Sequence, residues 1–196
     1  ELSDAQLMAA LGRKGVHPEG RFFPDTYHFA AGTPDRRIYE LAHERMSSEL
    51  AKAWAERAEG LPLASEEQAL IFASIVEKET GRDDERGKVA AVFSNRLRRG
   101  MRLQSDPTVI YGLGTAYDGD IRSRDLVTDT PYNSYTRAGL PPTPIALPGA
   151  ASLWAATHPD RLPALYFVAT GNGDGSHHFS ATLSEHNAAV QRFLQK

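Results

Sequence analysis

The feature that most constrains this chain is the stretch from Ser65 to Gly81. Ser65-Glu66-Glu67-Gln68 has the pattern of a capping box, with Ser at the N-cap and Gln three residues on. It opens an apolar helix that runs through roughly Lys78 to Thr80, and Gly81 is expected to stop it. An apolar helix has to be covered by other elements, and the rest of the chain offers them. A helix is expected over residues 2–12, with Leu2, Leu7, Met8 and Leu11 on one side and Glu1 already in its interior. His17-Pro18-Glu19-Gly20 breaks it, and Arg21 to Ala30 reads as an extended segment or irregular loop. Thr33-Pro34 starts a long scaffold helix, a hydroxyl N-cap followed by Pro, with Ile38, Leu41, Ala42, Met46, Leu50 and Trp54 as its stripe and Gly60 as its stop.

Beyond the apolar helix, a further helix is expected from about Asp84 to Arg99, with Val89, Val92, Phe93 and Leu97 inward and Gly100 beyond it. Asp106-Pro107 is placed to cap a short helix through Tyr111, ahead of Gly112 and Gly114. Residues 115–149 are polar and Pro-rich with little periodicity, and a connection that long is uncommon unless it is functional. Pro148 is expected to start a short helix carrying Leu153 and Trp154. Leu165–Thr170 and Ser176–Ala181 read as two strands around the Gly-rich turn 171–175. Thr182 to Glu185 forms a second capping box before a last helix with Ala189, Val190, Phe193 and Leu194. The expected class is α+β: mainly helical, with a small antiparallel sheet and one long Pro-rich loop.

Composition narrows the function. The chain has 196 residues, 41% hydrophobic and 24% charged, enough to bury a core without metals or disulfides and too apolar for disorder. A net charge of −3 gives no mark of a nucleic-acid binder. The absence of cysteine removes thiol nucleophiles, zinc–thiolate sites and iron–sulfur clusters. No run approaches the ~20 apolar residues of a membrane span, and the N-terminus lacks a signal peptide's basic and apolar regions. A start at Glu1 rather than Met suggests a piece of a longer protein, whose missing part would carry any address or anchor.

Chemistry concentrates at Glu77 and Glu79. Two residues apart on a helix is about 200°, so they face different ways and are no carboxylate dyad. Glu79 lies one turn beyond Ile75 and Val76 and two beyond Ile71 and Phe72, on the bulkiest apolar stripe. Glu77 lies beyond Ala73, Ser74 and then Leu70. An apolar setting and a helix C-terminus both raise a carboxyl pKa, which suits a general acid. The pattern is equally compatible with Glu79 pairing with Arg82 or Arg86. The seven Lys and Arg residues from Arg82 to Arg102 are interleaved with Asp83, Asp84 and Glu85 and read better as a solvated face than as an anion site. His177, His178 and His186 lack a recognised metal-ligand spacing. Neither G-x-S-x-G nor a phosphate-binding Gly loop is present. Tyr132-Asn133-Ser134-Tyr135 has rings, an amide and hydroxyls suited to sugar, and is equally suited to a rigid surface loop.

These residues carry a resemblance. Glu77-Lys78-Glu79-Thr80, Asn95-Arg96-Leu97, Met101 to Gly112, Tyr132 to Tyr135, Gly139-Leu140-Pro141-Pro142 with Pro144-Ile145, Pro148-Gly149, Tyr166-Phe167-Val168 and His177-His178-Phe179 occur in order. Together they resemble the catalytic region of the MltG, or YceG-like, family of endolytic murein transglycosylases. Gly20 to Tyr27 is similar to the family's preceding segment, so the resemblance covers about residues 20–196. It implies a catalytic domain over 21–196, comprising a scaffold helix at 34–60 and a core at 65–196, behind the end of a truncated upstream segment at 1–20. It implies endolytic, non-hydrolytic cleavage of peptidoglycan glycan strands between MurNAc and GlcNAc, leaving 1,6-anhydroMurNAc ends and terminating or releasing nascent strands. It also implies a single N-terminal membrane anchor, work on the outer face of the bacterial cytoplasmic membrane, and peptidoglycan synthases as partners. That no cofactor or metal is needed is expected from the absence of cysteine and of a recognisable ligand spacing.

By motif the family's catalytic Glu is the second of Glu-Lys-Glu-Thr, Glu79, and its closing His maps to His177. Gln104, Asp106, Tyr132, Asn133, Tyr135 and His177 are the candidate substrate-binding residues. Two other classes fit the same residues: a hydrolase with Asp106 or Asp129 as second carboxylate, and a glycan-binding module without catalysis.

Overall fold

In the computed structural model, which describes residues 2–195, the apolar helix is the centre of the molecule. The elements in chain order are α1 (Asp4–Ala10), α2 (Asp35–Ala55), α3 (Glu66–Glu79), α4 (Arg86–Arg98), α5 (Asp106–Leu113), α6 (Ser123–Val127), α7 (Ala150–Thr157), β1 (Tyr166–Ala169), β2 (His177–Ser180) and α8 (Leu183–Leu194), with a single 3₁₀ turn at Gly114–Ala116. Every residue of α3 from Ala69 to Val76 is buried. It packs chiefly against α7, and also against α2, α4 and α5. A helix apolar on all sides needs this number of neighbours. Full burial of each large apolar side chain stabilises by roughly 1.5–3 kcal/mol, so α3 is the main source of cohesion. Phe72 meets Phe93 edge-on at 6.4 Å, and Phe93 meets Phe167 at 5.8 Å, which carries the core from α3 through α4 into the sheet.

The sheet is the expected antiparallel pair, with Phe167 opposite Phe179. Both rings pack against the main core, and α8 lies over both strands. The α+β class stands. Among the described residues no helix is long and apolar enough to cross a membrane.

Several boundaries differ from the sequence reading, each for a local reason. The first helix begins at Asp4 because Ser3 and Gln6 cap it reciprocally; Met8 is buried, but Leu2 is 61% exposed. The expectation for Glu1 lies outside the described residues. Pro34, not Thr33, is the N-cap of α2, and α2 ends at Ala55, well before Gly60. Ser65 caps α3 as expected, but the Gln68 side chain accepts from the Ala64 N–H. The helix ends at Glu79 because Thr80 is already extended. The fourth helix starts at Arg86 rather than Asp84, and Ser105, one residue before Asp106, is the N-cap of α5. Gly149 rather than Pro148 precedes α7. Each strand is one residue shorter at both ends than expected, and the long connection contains one short helix, α6.

The Pro-rich connection is fastened to the core. Ser74, inside α3, donates to the Ile71 carbonyl at 2.7 Å and accepts the Ile145 N–H at 2.9 Å. A buried hydroxyl satisfied in this way fixes the loop directly on the central helix.

Candidate active site

The last turn of α3 separates the two glutamates by role. Glu77 accepts the Gly149 N–H through Oε2 at 3.0 Å, so its carboxylate sits at the start of α7. That is a favourable place for a negative charge. Glu79 faces elsewhere and accepts a hydrogen bond from Ser105 Oγ at 2.5 Å. Arg82 pairs instead with Asp84 and Asp174, and Arg86 with Asp83, so neither candidate cation neutralises Glu79.

Ser105 is held from several sides. Leu103 is fully buried and anchors the chain just before it. Gln104 then takes φ of 52°, the left-handed region that non-Gly residues rarely adopt. The Gln104 N–H donates to the Ser134 carbonyl at 3.1 Å, and the Ser105 N–H to Ser134 Oγ at 2.9 Å. Thr108, one turn into α5, donates to the Ser105 carbonyl at 2.7 Å and lies 2.8 Å from Ser134 Oγ. Ser105, Thr108 and Ser134 are all buried, so this network leaves the Ser105 hydroxyl little freedom.

Glu79 is half-buried as a residue, and burial of its carboxyl pushes its pKa up to about 7. The Ser105 hydrogen bond opposes that rise, the Asp106 charge adds to it, and the Arg96 charge opposes it. Asp106, exposed beside it, accepts the Tyr135 hydroxyl at 2.5 Å. Burial and the neighbouring Asp106 and Glu79 charges hold the Tyr135 phenol well above its ordinary range, so it stays a donor. A carboxylic acid poised near neutrality beside one fixed hydroxyl can give and retake a proton.

The structure brings Asp106 and Tyr135 within electrostatic reach of Glu79, whereas Gln104 is linked to it only as the chain neighbour of Ser105. Gln104 is exposed and next to Ser105. Tyr132 stands at the far end of α5, its ring 4.8 Å from Tyr111 and its hydroxyl 2.8 Å from Thr143 Oγ1. Asn133 is 1% exposed and does not present its amide to the surface. Its Nδ2 donates to the carbonyls of Asp125, Leu126 and Thr128, and its Oδ1 accepts the Tyr135 N–H. The expected sugar contact is thereby replaced by an internal brace of the loop. His177 is bound through Nδ1 to buried Glu85 at 2.8 Å, and its own N–H donates to Glu85 Oε1 at 3.1 Å. No contact among the described residues joins it to Glu79. Asp129 is engaged by Arg137 and Thr136.

Sequence reasoning missed Ser105 and Arg96, although both lie inside quoted motifs. A small hydroxyl between the adjacent candidates Gln104 and Asp106 was the available signal for Ser105. Arg96 is a cation on a helix whose other inward residues are apolar or small, and that mismatch was the signal for it.

The YceG-like family model matches residues 2–192. The chain belongs to the YceG-like family. This YceG-like chain is 38% identical over 196 residues to an endolytic murein transglycosylase of Bacillus subtilis (strain 168), covering 99% of the chain and 53% of that relative. It is 29% identical over 177 residues to an endolytic murein transglycosylase of Streptococcus pneumoniae, covering 88% of the chain and 31% of the relative. The chain thus spans about half or less of the length of these curated relatives. A crystal structure of a yceG-like protein from Listeria monocytogenes superposes with a TM-score of 0.75 at 36% identity, covering 91% of this YceG-like chain and 58% of the other.

Proposed function

We propose that this chain is the catalytic part of a peptidoglycan lytic transglycosylase, a lyase that cuts the β-1,4 bond between MurNAc and GlcNAc within glycan strands and leaves 1,6-anhydroMurNAc ends. The observation that carries the reading is a single carboxyl, Glu79, raised to about 7 and oriented by Ser105. The names of the Bacillus and Streptococcus relatives point the same way.

The chemistry needs one carboxyl acting twice. Oε1 of Glu79 accepts from Ser105, so Oε2 is the oxygen that carries the proton. That proton goes to the glycosidic oxygen as the bond to C1 of MurNAc breaks, and the bonding pair leaves with the GlcNAc oxygen. The oxocarbenium-like C1 is captured by the C6 hydroxyl of the same MurNAc. Glu79, now a carboxylate, takes the C6 hydroxyl proton and is restored. No water and no second carboxylate enter, in contrast to two-carboxylate hydrolases. General acid–base catalysis supplies ~10²–10⁴-fold, and positioning supplies much of the rest. Gln104, Asp106 and Tyr135 border the reacting bond, Tyr132 lies further along the cleft, and the loop from Tyr132 to Ile145 forms one wall.

Residues 21–196 serve as the catalytic domain. In the full-length protein an N-terminal anchor would hold it at the outer face of the cytoplasmic membrane, beside peptidoglycan synthases, where cutting releases nascent strands. Mass spectrometry of muropeptides from digested sacculi tests the reading. Anhydro ends are expected. Reducing ends would identify a hydrolase with Asp106 as partner, and intact strands retained by the protein would identify a binding module.

A further inference from the structure

Arg96 is the one group in this region whose placement the chemistry above leaves unexplained. It lies on α4, is only 8% exposed, and has no carboxylate within ion-pair distance among the described residues. A buried cation without an anion is costly, and a neutral side chain would fill the same space. Its fork reaches two separate segments. Nη1 donates to the Leu103 carbonyl at 2.6 Å and Nε to the Leu165 carbonyl at 2.7 Å. The guanidinium carbon lies 5.3 Å from the centre of the Tyr166 ring. Leu103 begins the short stretch in which Gln104 turns through φ of 52° and delivers the Ser105 hydroxyl to Glu79.

We propose that Arg96 is a positioning residue for the reaction: it clamps the Leu103–Ser105 segment so that Ser105 meets Glu79, and it keeps one fixed positive charge beside Glu79 for the moment when that carboxyl has given up its proton. The inference rests on the reading of Glu79 as the acid and base of the transglycosylase.

The surroundings agree. The charged and titratable groups that act on Glu79 or feel its charge are Arg96 from α4, Asp106 from α5 and Tyr135 from the Pro-rich loop. Those facing Arg96 include Glu79, Tyr135 and Tyr166, with His186 of α8 stacked beyond Tyr166. Of these, only Arg96 favours the ionised form of Glu79 by charge. Burial weakens the hold of Arg96 on its proton, but a guanidinium stays charged at any working pH. Lys in its place would keep a charge but lose the planar fork that spans two carbonyls.

The test uses the whole chain with ¹³C-carboxyl-labelled Glu, the Glu79 resonance being the one lost in Glu79→Gln. In Arg96→Gln the Glu79 titration midpoint is expected to move to higher pH, and the alkaline limb of kcat/KM to move with it. In Arg96→Lys the midpoint is expected to stay at its original position while kcat falls about 10- to 100-fold, the scale of a small misplacement. A purely structural residue would lower stability without moving the midpoint in a charge-dependent way. An unmoved midpoint in a folded Arg96→Gln overturns the proposal. So does an Arg96→Lys protein with unchanged kcat or a raised midpoint, and this arm stands even if Arg96→Gln does not fold. The titration needs no turnover. An inactive wild-type chain with the expected shifts would therefore remove only the transglycosylase reading, whereas an active chain with insensitive titrations would remove only the role of Arg96.

Discussion

Two glutamates two residues apart do opposite work at the end of α3. Glu77 caps α7 through Gly149, whereas Glu79 meets Ser105. Glu79→Gln is expected to lower turnover by at least ~10²-fold while the circular dichroism spectrum is retained. Glu77→Gln is expected to cost about 1 kcal/mol in denaturant unfolding and to leave most activity. A folded but inactive Glu77→Gln would reverse these assignments. The raised pKa also has a sign in stability. Glu79 holds a proton in the native state up to about 7, against an ordinary value of 4.5. The native state therefore binds more protons than the unfolded chain in this window. Its contribution is fully present below pH 4.5 and is lost as pH rises to about 7, by up to about 3 kcal/mol. The Gln variant, neutral throughout, should gain stability over the wild type across that window and hold the gain above it. Parallel unfolding curves from pH 4 to 8 would contradict the buried acid. The stripe of Ile75, Val76, Ile71 and Phe72 made Glu79 legible in sequence. Its freedom from Arg82 and Arg86 was not legible, because i+3 spacing and a turn place those arginines equally well near or far. Only the pairing of Arg82 with Asp84 and Asp174, and of Arg86 with Asp83, decides it.

Among the elements, every helix except α6 was readable from a cap or a periodic face, and the errors in those lie at their ends, whereas α6 (Ser123–Val127) was missed because its single turn sits in a stretch with no apolar period. Thr182 caps α8 as its pattern requires, while at α2 Pro34 takes the place expected for Thr33. The long connection was readable only as long and polar. Its order comes from side chain-to-backbone bonds that have no period. Asn133 is the clearest case: the amide that looked suited to sugar gathers three carbonyls between Asp125 and Thr128. Asn133→Ala would leave those carbonyls without their donor and is expected to destabilise by about 1–3 kcal/mol. Activity should fall with it, because Ser134 and Tyr135 follow directly. The loss should appear as faster proteolysis within residues 117–140 and as reduced kcat. Asn133→Ala with wild-type stability and a raised KM alone would restore the amide to the substrate surface.

Across the whole molecule, the segment before α2 and the Pro-rich connection close on the same central helix although they are far apart in the chain. Phe23 is buried and donates its N–H to the Ala42 carbonyl at 3.0 Å. Arg21 pairs with Glu67 at the start of α3 through two bonds of 2.6 and 2.8 Å. Between this segment and the connection stands Gly20, at φ of 80°, where a Cβ would lie 2.6 Å from Pro144 Cβ and Cγ. No side chain fits there without moving Pro144, and the left-handed backbone alone would cost about 1–2 kcal/mol for Ala. Gly20→Ala is therefore expected to destabilise by more than that backbone term and to act at a distance. Pro144 precedes Ile145, whose N–H is held by buried Ser74 on α3, so displacement of Pro144 should loosen that bond and the loop wall that leads to Glu79. Hydrogen exchange at the Ile145 amide reads this directly. Faster exchange at Ile145 in Gly20→Ala, with lowered turnover, is the outcome that joins the two segments into one working unit. If exchange quickens only within residues 17–24 while Ile145 stays protected, the upstream segment and the active-site wall are mechanically independent.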